Sequence, residues 1–208
     1  MQIVKLLLLS LLLSQLHAFN EGPIPPKAMK KAERKYGGLV VSRFLDFNKL
    51  LSRMEHMSER EKLQTVNDFF NKIPFASDLK NWKTEDYWAT PLEFLARGKG
   101  DSEDYVIAKY FALKTAGIDT SKLYLTYVNS NDFKRPHMVL SYFEQTGADP
   151  FILDNINPDI LSASDRGDLT PVYNFNPSLT QGKSDEDLHQ SSHKKWEKLH
   201  KRVKRNKL

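Results

Sequence analysis

Hydrophobic residues in the first half of the chain recur every three or four positions, which is the spacing of one face of an α-helix. The clearest run covers residues 39–54 and predicts an amphipathic helix there. A second helix is predicted to begin at Ser58, because Ser58 and Glu61 form an S-x-x-E capping box, in which each side chain bonds a free N–H group at the helix start.

Two further helices are predicted before the pattern changes. Thr90 and Pro91 mark the start of a short one, and Gly98 is placed to end it. The next run, residues 102–113, has apolar residues on most sides, so we expect a central and largely buried helix. Gly117 is expected to end this helix.

The period then changes to the alternation that is typical of β-strands. The β-prone runs cover residues 123–128, 137–143, 150–156 and 172–175. Because helices come first and strands afterwards, we expect an α+β domain in which an antiparallel sheet packs on the central, buried helix.

Residues 1–18 have the pattern of a secretory signal peptide: one lysine, a leucine-rich run and a small residue, Ala18, at the end. The apolar run is shorter than the roughly 20 residues that a membrane-spanning helix needs, which disfavours a membrane anchor. We expect cleavage after Ala18 and a soluble mature protein outside the cytoplasm, with no stable membrane insertion.

The length of 208 residues suits one domain with a sizeable core. With 40% hydrophobic and 27% charged residues, the chain is expected to be neither disordered nor fibrous. The formal net charge is +5, but residues 191–208 hold eight lysines and arginines and one glutamate, so residues 19–190 are net negative. We therefore expect no nucleic-acid partner.

The domain organisation follows from these patterns. After the signal peptide, residues 19–190 are expected to form the folded domain, and residues 191–208 a basic C-terminal helix. Three apolar residues fall on one face of that helix, so it is expected to dock on the domain rather than to bind a membrane surface or an acidic partner. They are Trp196, Leu199 and Val203.

Three residues have the types of a nucleophile, a base and an orienting group: Ser102 at the start of the central helix, His137 opening one strand and Asp154 ending the next. A helix start favours an anionic nucleophile and an oxyanion. His137 is placed to take the proton and Asp154 to hold the imidazole. The spacing alone equally fits an N-cap serine, a core histidine and a turn aspartate.

Four segments of the sequence carry a resemblance that covers most of the chain after the signal peptide. Together they resemble the bacterial transglutaminase-like cysteine peptidases, which have G-D-C-E-D-Y-A-I-A-K-Y, H-M-V-L and L-D-N blocks in this order. The segments are YWATPLEFL at 87–95, GKGDSEDYVIAKY at 98–110, HMVL at 137–140 and ILDN at 152–155.

The resemblance implies a papain-like, transglutaminase-like fold with a catalytic triad at Ser102, His137 and Asp154. It also implies a Ca²⁺ ion held by Asp101 and Glu103, although these acidic residues also suit the positive end of the helix dipole without a metal. The implied activity is cleavage of a large surface adhesin in the periplasm. The implied regulator is the periplasmic domain of an inner-membrane receptor.

One difference from the family lies at the nucleophile, since Ser102 stands where the family has cysteine and the chain contains no cysteine. An alcohol stays protonated at neutral pH, whereas a thiol beside an imidazole ionises. Three interpretations remain open: an inactivated variant, a serine-dependent hydrolase, and a pseudo-peptidase that acts as a calcium-dependent binding module.

Overall fold

The computed structural model describes residues 23–131, 135–179 and 187–205, so the predicted signal peptide lies outside the described residues. In the described part of the chain, no helix has both the length and the apolar character needed to cross a bilayer. The α-helices are α1 (Pro26–Tyr36), α2 (Leu39–Arg53), α3 (Glu59–Asn71), α4 (Asp78–Trp82), α5 (Pro91–Arg97), α6 (Ser102–Thr115) and α7 (Asp187–Lys204).

The capping signals in the sequence correctly located two helix starts. Both side chains of the Ser58 and Glu61 box form their reciprocal bonds at the start of α3. Thr90 and Glu93 form a second complete box at the start of α5. Gly98 ends α5 with φ +62°, a left-handed conformation that glycine adopts at little cost.

Helix α6 is the centre of the fold, as the all-round apolar pattern predicted. Eleven of its 14 residues are buried. It packs against α3 on one side and against the strand Arg135–Tyr142 of the sheet on the other. The start of α6 is therefore held rigidly between the helices and the sheet.

Five antiparallel strands form one sheet in the order β4-β3-β2-β1-β5. The predicted α+β class with a sheet packed on a buried helix is confirmed. The bounds of all four predicted strands differ somewhat from prediction, and the short strand β4 was not predicted. At the site, β2 begins two residues before His137, and β3 stops just before Asp154. The strands are β1 (Leu123–Ser130), β2 (Arg135–Tyr142), β3 (Phe151–Leu153), β4 (Leu161–Ser162) and β5 (Leu169–Phe175).

The C-terminal helix α7 begins at Asp187, earlier than the predicted residue 191. It packs on the domain through three buried side chains, and the Trp196 ring stacks on Phe111 with centroids 5.6 Å apart. Arg202 also donates to the carbonyl of Trp88, so that Trp88 is buried under α7. The buried apolar residues of α7 are the predicted Trp196, Leu199 and Val203, and Ser192 of this helix is buried as well.

Candidate active site

His137 and Asp154 form the central contact of the site. His137 Nε2 lies 2.8 Å from Asp154 Oδ1, and both residues are buried. An ionised carboxylate only accepts hydrogen bonds, so Nε2 is the protonated nitrogen in a neutral imidazole. Nδ1 is then the basic nitrogen that remains for a proton from a nucleophile.

Arg166 holds the second oxygen of Asp154. Its Nη2 donates to Asp154 Oδ2 at 2.8 Å, while the guanidinium also binds Asp168. The backbone N–H of Ile156 adds a bond to Oδ1 at 3.0 Å. Burial opposes ionisation of Asp154, but the bonds from His137, Ile156 and Arg166 outweigh it and lower its pKa to about 2.

The loop that carries Asp154 is anchored from helix α3. Asn71 donates to the carbonyl of Asp154 at 2.7 Å, and Asn67 donates to the carbonyl of Pro158 at 2.9 Å. Asn67 in turn accepts a bond of 2.7 Å from the ammonium of Lys109, a fully buried residue of α6. Burial lowers the pKa of Lys109 to about 7. These contacts fix the position of the Asp154 loop relative to the central helix α6.

Ser102 is the first residue of α6 and lies in the same cleft as His137. The cleft has a volume of about 370 Å³, and its walls include Phe75, Tyr127 and Ile156. As the first residue of a helix, Ser102 presents a backbone N–H that has no partner within the helix, which suits an oxyanion.

The Ser102 hydroxyl is hydrogen-bonded to a neighbour other than the imidazole. Its Oγ donates to Glu103 Oε2 at 2.8 Å. A hydroxyl has one proton to donate, so the same rotamer cannot donate to His137. The structure therefore places Ser102 beside His137 in one cleft, with the hydroxyl proton directed to Glu103.

Three aspartates form a buried acidic cluster at the start of α6: Asp78, Asp101 and Asp104. One oxygen from each lies within 4.8 Å of the others. Asp104 Oδ1 accepts a bond of 2.8 Å from the Ala89 N–H, and Asp78 Oδ2 accepts one from the Tyr87 N–H. Each of the three aspartates also has one buried oxygen with no hydrogen-bond partner among the described residues.

The electrostatics of this acidic cluster favour a cation. Burial raises the pKa of Asp78 to about 6, and burial with nearby negative charges raises that of Asp101 to about 9. Burial also raises the pKa of Asp104 well above its usual value. Unpaired carboxylate oxygens are hard ligands of the kind that Ca²⁺ prefers, so the residues present fit such an ion.

This cluster differs from the pair expected from the sequence. Asp101 belongs to it, whereas Glu103 binds the Ser102 hydroxyl instead. Asp104 had a sequence signal, as an acid in the first turn of α6. Asp78 had none, because it is distant in sequence and is brought in by the start of α4.

Gly100 allows the chain to pass close to the acidic cluster. A Cβ atom at this position would lie 2.4 Å from Asp104 Oδ2 and 2.8 Å from a ring carbon of Phe94. These distances are too short for any side chain. The glycine before the helix is thus required by the buried carboxylate.

Comparisons with known proteins identify the family and the fold of the chain. The family described as bacterial transglutaminase-like cysteine proteinase BTLCP matches residues 48–175. Solved structures of Legionella pneumophila LapG, one EGTA-treated and one calcium-bound, are each 35% identical to the chain with a TM-score of 0.71. They cover 85% of this chain, which in turn covers 96% and 98% of theirs. No curated protein sequence matches the chain.

The family match covers more than half of the chain and includes Ser102 and His137, which line the cleft, and Asp154, which binds His137 from behind. Its members are named as cysteine proteinases, yet this chain contains no cysteine. The identity to LapG extends over nearly the whole of that protein. The chain therefore belongs to the bacterial transglutaminase-like cysteine proteinases.

Proposed function

We propose that the chain is a LapG-like periplasmic peptidase that cleaves an extended segment of a large surface adhesin. The observation that carries the proposal is the 2.8 Å contact between His137 Nε2 and Asp154 Oδ1, in the cleft that also contains Ser102. The contact leaves Nδ1 as the base beside a residue of nucleophile type. The family membership supports a protein as the substrate.

In the proposed reaction, Ser102 Oγ attacks the carbonyl carbon of the scissile peptide bond. His137 Nδ1 takes the hydroxyl proton and then gives it to the leaving amine. Asp154 keeps the imidazole oriented and stabilises the imidazolium. The N–H of Ser102 stabilises the oxyanion, and water subsequently hydrolyses the ester. The Ser102 hydroxyl must first leave Glu103 for His137 Nδ1.

We further propose that Asp78, Asp101 and Asp104 hold Ca²⁺, with Glu103 as an additional ligand when it releases the Ser102 hydroxyl. Bound Ca²⁺ would supply positive charge that neutralises the buried carboxylates at the start of α6. The calcium-bound LapG structure supports this assignment. We also propose that the regulator is the periplasmic domain of an inner-membrane receptor, and that export uses the predicted signal peptide.

A second function is favoured by a specific observation. The Ser102 hydroxyl donates to Glu103, and an alcohol has little tendency to ionise in a site shaped for a thiolate. The chain is then a pseudo-peptidase that keeps the fold, the acidic cluster and a partner surface. It would act as a calcium-dependent binding module.

One experiment separates the two functions. The chain and its Ser102→Cys variant are each incubated with an adhesin fragment, with Ca²⁺ or with EGTA, and cleavage is followed by gel and mass spectrometry. Peptidase function predicts that both forms cut in Ca²⁺ and that the Cys variant cuts faster. If only the variant cuts, the binding module is the correct function. If neither form cuts in Ca²⁺, the peptidase proposal is wrong.

A further inference from the structure

A second cavity lies on the helical side of the molecule and shares no lining residue with the cleft that contains Ser102 and His137. It has a volume of about 580 Å³ and is formed mainly by α2, the end of α3 and the end of α5. Arg53 and Lys72 line this cavity and are exposed to solvent. Its apolar lining includes Leu50, Phe69, Ile73 and Leu95. We refer to this cavity as the basic groove.

Two other cations of the basic groove already have partners. Arg43 donates to the carbonyl oxygens of Leu95 and Ala96 at 2.6 and 2.8 Å, so it serves to cap the end of α5. Lys49 forms an exposed ion pair of 3.5 Å with Asp46. Neither is needed to recognise a ligand.

Arg53 and Lys72 are different, because within the described residues neither forms an ion pair with a carboxylate. Two unpaired cations beside an apolar surface complement a segment in which acidic and apolar residues occur together. An acidic side chain placed there would gain charge-assisted hydrogen bonds while its apolar neighbours bury surface.

A pair of backbone segments connects the basic groove to the catalytic cleft. Pro74 and Gly98 line the groove, whereas Phe75 lines the cleft. The two segments run parallel and are joined by a bridge between Phe75 and Gly100, in which the Ala76 N–H donates to the Gly100 carbonyl at 2.7 Å. Two consecutive residues of one segment, Pro74 and Phe75, therefore border the groove and the cleft respectively.

We propose that the basic groove is an extension of the substrate-binding cleft and binds an acidic and apolar segment beside the scissile bond of the substrate protein. This inference rests on the proposed function and adds the class of segment that is recognised. Arg53 and Lys72 contact the carboxylates, and the apolar floor contacts the residues between them.

Peptide binding tests the proposal without any turnover, so a chain that cuts nothing still gives a result. A fluorescent peptide of alternating acidic and apolar residues is compared with its Asn and Gln counterpart by anisotropy. We expect the acidic peptide to bind more tightly, and its affinity to fall steeply toward about 1 M salt, where charges are screened beyond about 3 Å. Equal binding of both peptides would overturn the proposal.

The matched variants carry equal changes in charge. Arg53→Glu with Lys72→Glu is expected to weaken binding of the acidic peptide about tenfold or more. Lys30→Glu with Lys31→Glu changes exposed residues of α1, outside the groove lining, and is expected to leave binding unchanged. Equal losses of peptide affinity in both double variants would show that binding depends only on general charge attraction, and would overturn the proposal. Binding of anionic vesicles through Arg53 and Lys72, without peptide binding, would also overturn the proposal.

A protection experiment tests the connection to the cleft. The acidic peptide is extended at either end by neutral residues, and each version is added to the Ser102→Cys variant during alkylation of its thiol. One extended version is expected to slow alkylation, whereas the peptide without an extension is not. If no version protects the thiol although the acidic segment binds, the groove is a separate site and the proposed extension is wrong.

Discussion

Arg166 and Asp154 form an ion pair in which both side chains are buried, with 2.8 Å between Nη2 and Oδ2. Because one carboxylate oxygen is occupied by the guanidinium, the other is directed to His137. Asp168 forms a second ion pair of 2.7 Å with the same nitrogen of Arg166 and helps to hold the guanidinium in place. The orientation of the imidazole thus depends on a residue that the sequence pattern did not indicate.

Replacing Arg166 by methionine is expected to lower the free energy of unfolding by about 3–5 kcal/mol, because Asp154 would keep a buried charge without its partner. Arg166→Lys should restore part of this loss. Urea unfolding measures both. Lys49→Met is the control, since its ion pair with Asp46 is exposed and should contribute less than about 1 kcal/mol. Equal effects of the Arg166 and Lys49 changes would contradict the role of the buried pair.

The low pKa of Asp154 predicts how the free energy of unfolding changes at acid pH. A carboxyl whose folded pKa is about 2 stabilises the fold above its unfolded value near 4, and this contribution is lost as the pH falls through 2. It amounts to about 2–3 kcal/mol. As the pH is lowered from about 4 to about 2, the free energy of unfolding should therefore fall less steeply in Asp154→Asn than in the parent chain. Parallel slopes would show that Asp154 is not held in its ionised form.

Gly100→Ala is expected to destabilise the fold by about 1–3 kcal/mol, because the new Cβ would overlap the carboxylate of Asp104. Gly38→Ala is the matched control, since its Cβ would meet nothing within 4 Å and its φ is −65°. The control should be neutral or more stable by up to about 1 kcal/mol. Thermal and urea unfolding compare the two, and a neutral Gly100→Ala would contradict the described packing.

Calcium is expected to raise the melting temperature of the chain in proportion to the logarithm of its concentration once the site is saturated. Asp78→Asn removes one charge from the acidic cluster and should weaken calcium binding measured by calorimetry. Asp46→Asn removes an exposed carboxylate outside the cluster and should leave binding unchanged. If Asp78→Asn binds calcium as the parent does, the ion does not occupy this cluster.

Most of the helices were predictable because their signals are local. A capping box at Ser58 or an apolar run along α6 depends on neighbours in sequence, and the physics of helix formation acts at the same range. Helix α1 was missed because Ala32 is its only buried residue, so its apolar pattern is weak. The order of the motif residues also led us to expect Ser102, His137 and Asp154 near one another: Ser102 and His137 line one cleft, and Asp154 contacts His137.

The contacts that orient the side chains of the site were not predictable, since they join residues far apart in the chain. Arg166 lies in a short turn with no periodic pattern, and only the fold brings it to Asp154. Asp78 reaches Asp101 in the same way. The Ser102 hydroxyl donates to Glu103 and not to His137 because of its side-chain rotamer. Sequence spacing does not specify rotamers.

Alkylation of the Ser102→Cys variant is the most direct measurement of whether the cleft is a peptidase site. At about pH 6 an ordinary thiol is almost fully protonated, whereas a thiol at a helix start beside an imidazole ionises. The variant should react about tenfold or more faster than the same variant carrying His137→Ala, and faster than Ser52→Cys, an exposed thiol on α2. Equal rates in all three proteins would contradict an active nucleophile position.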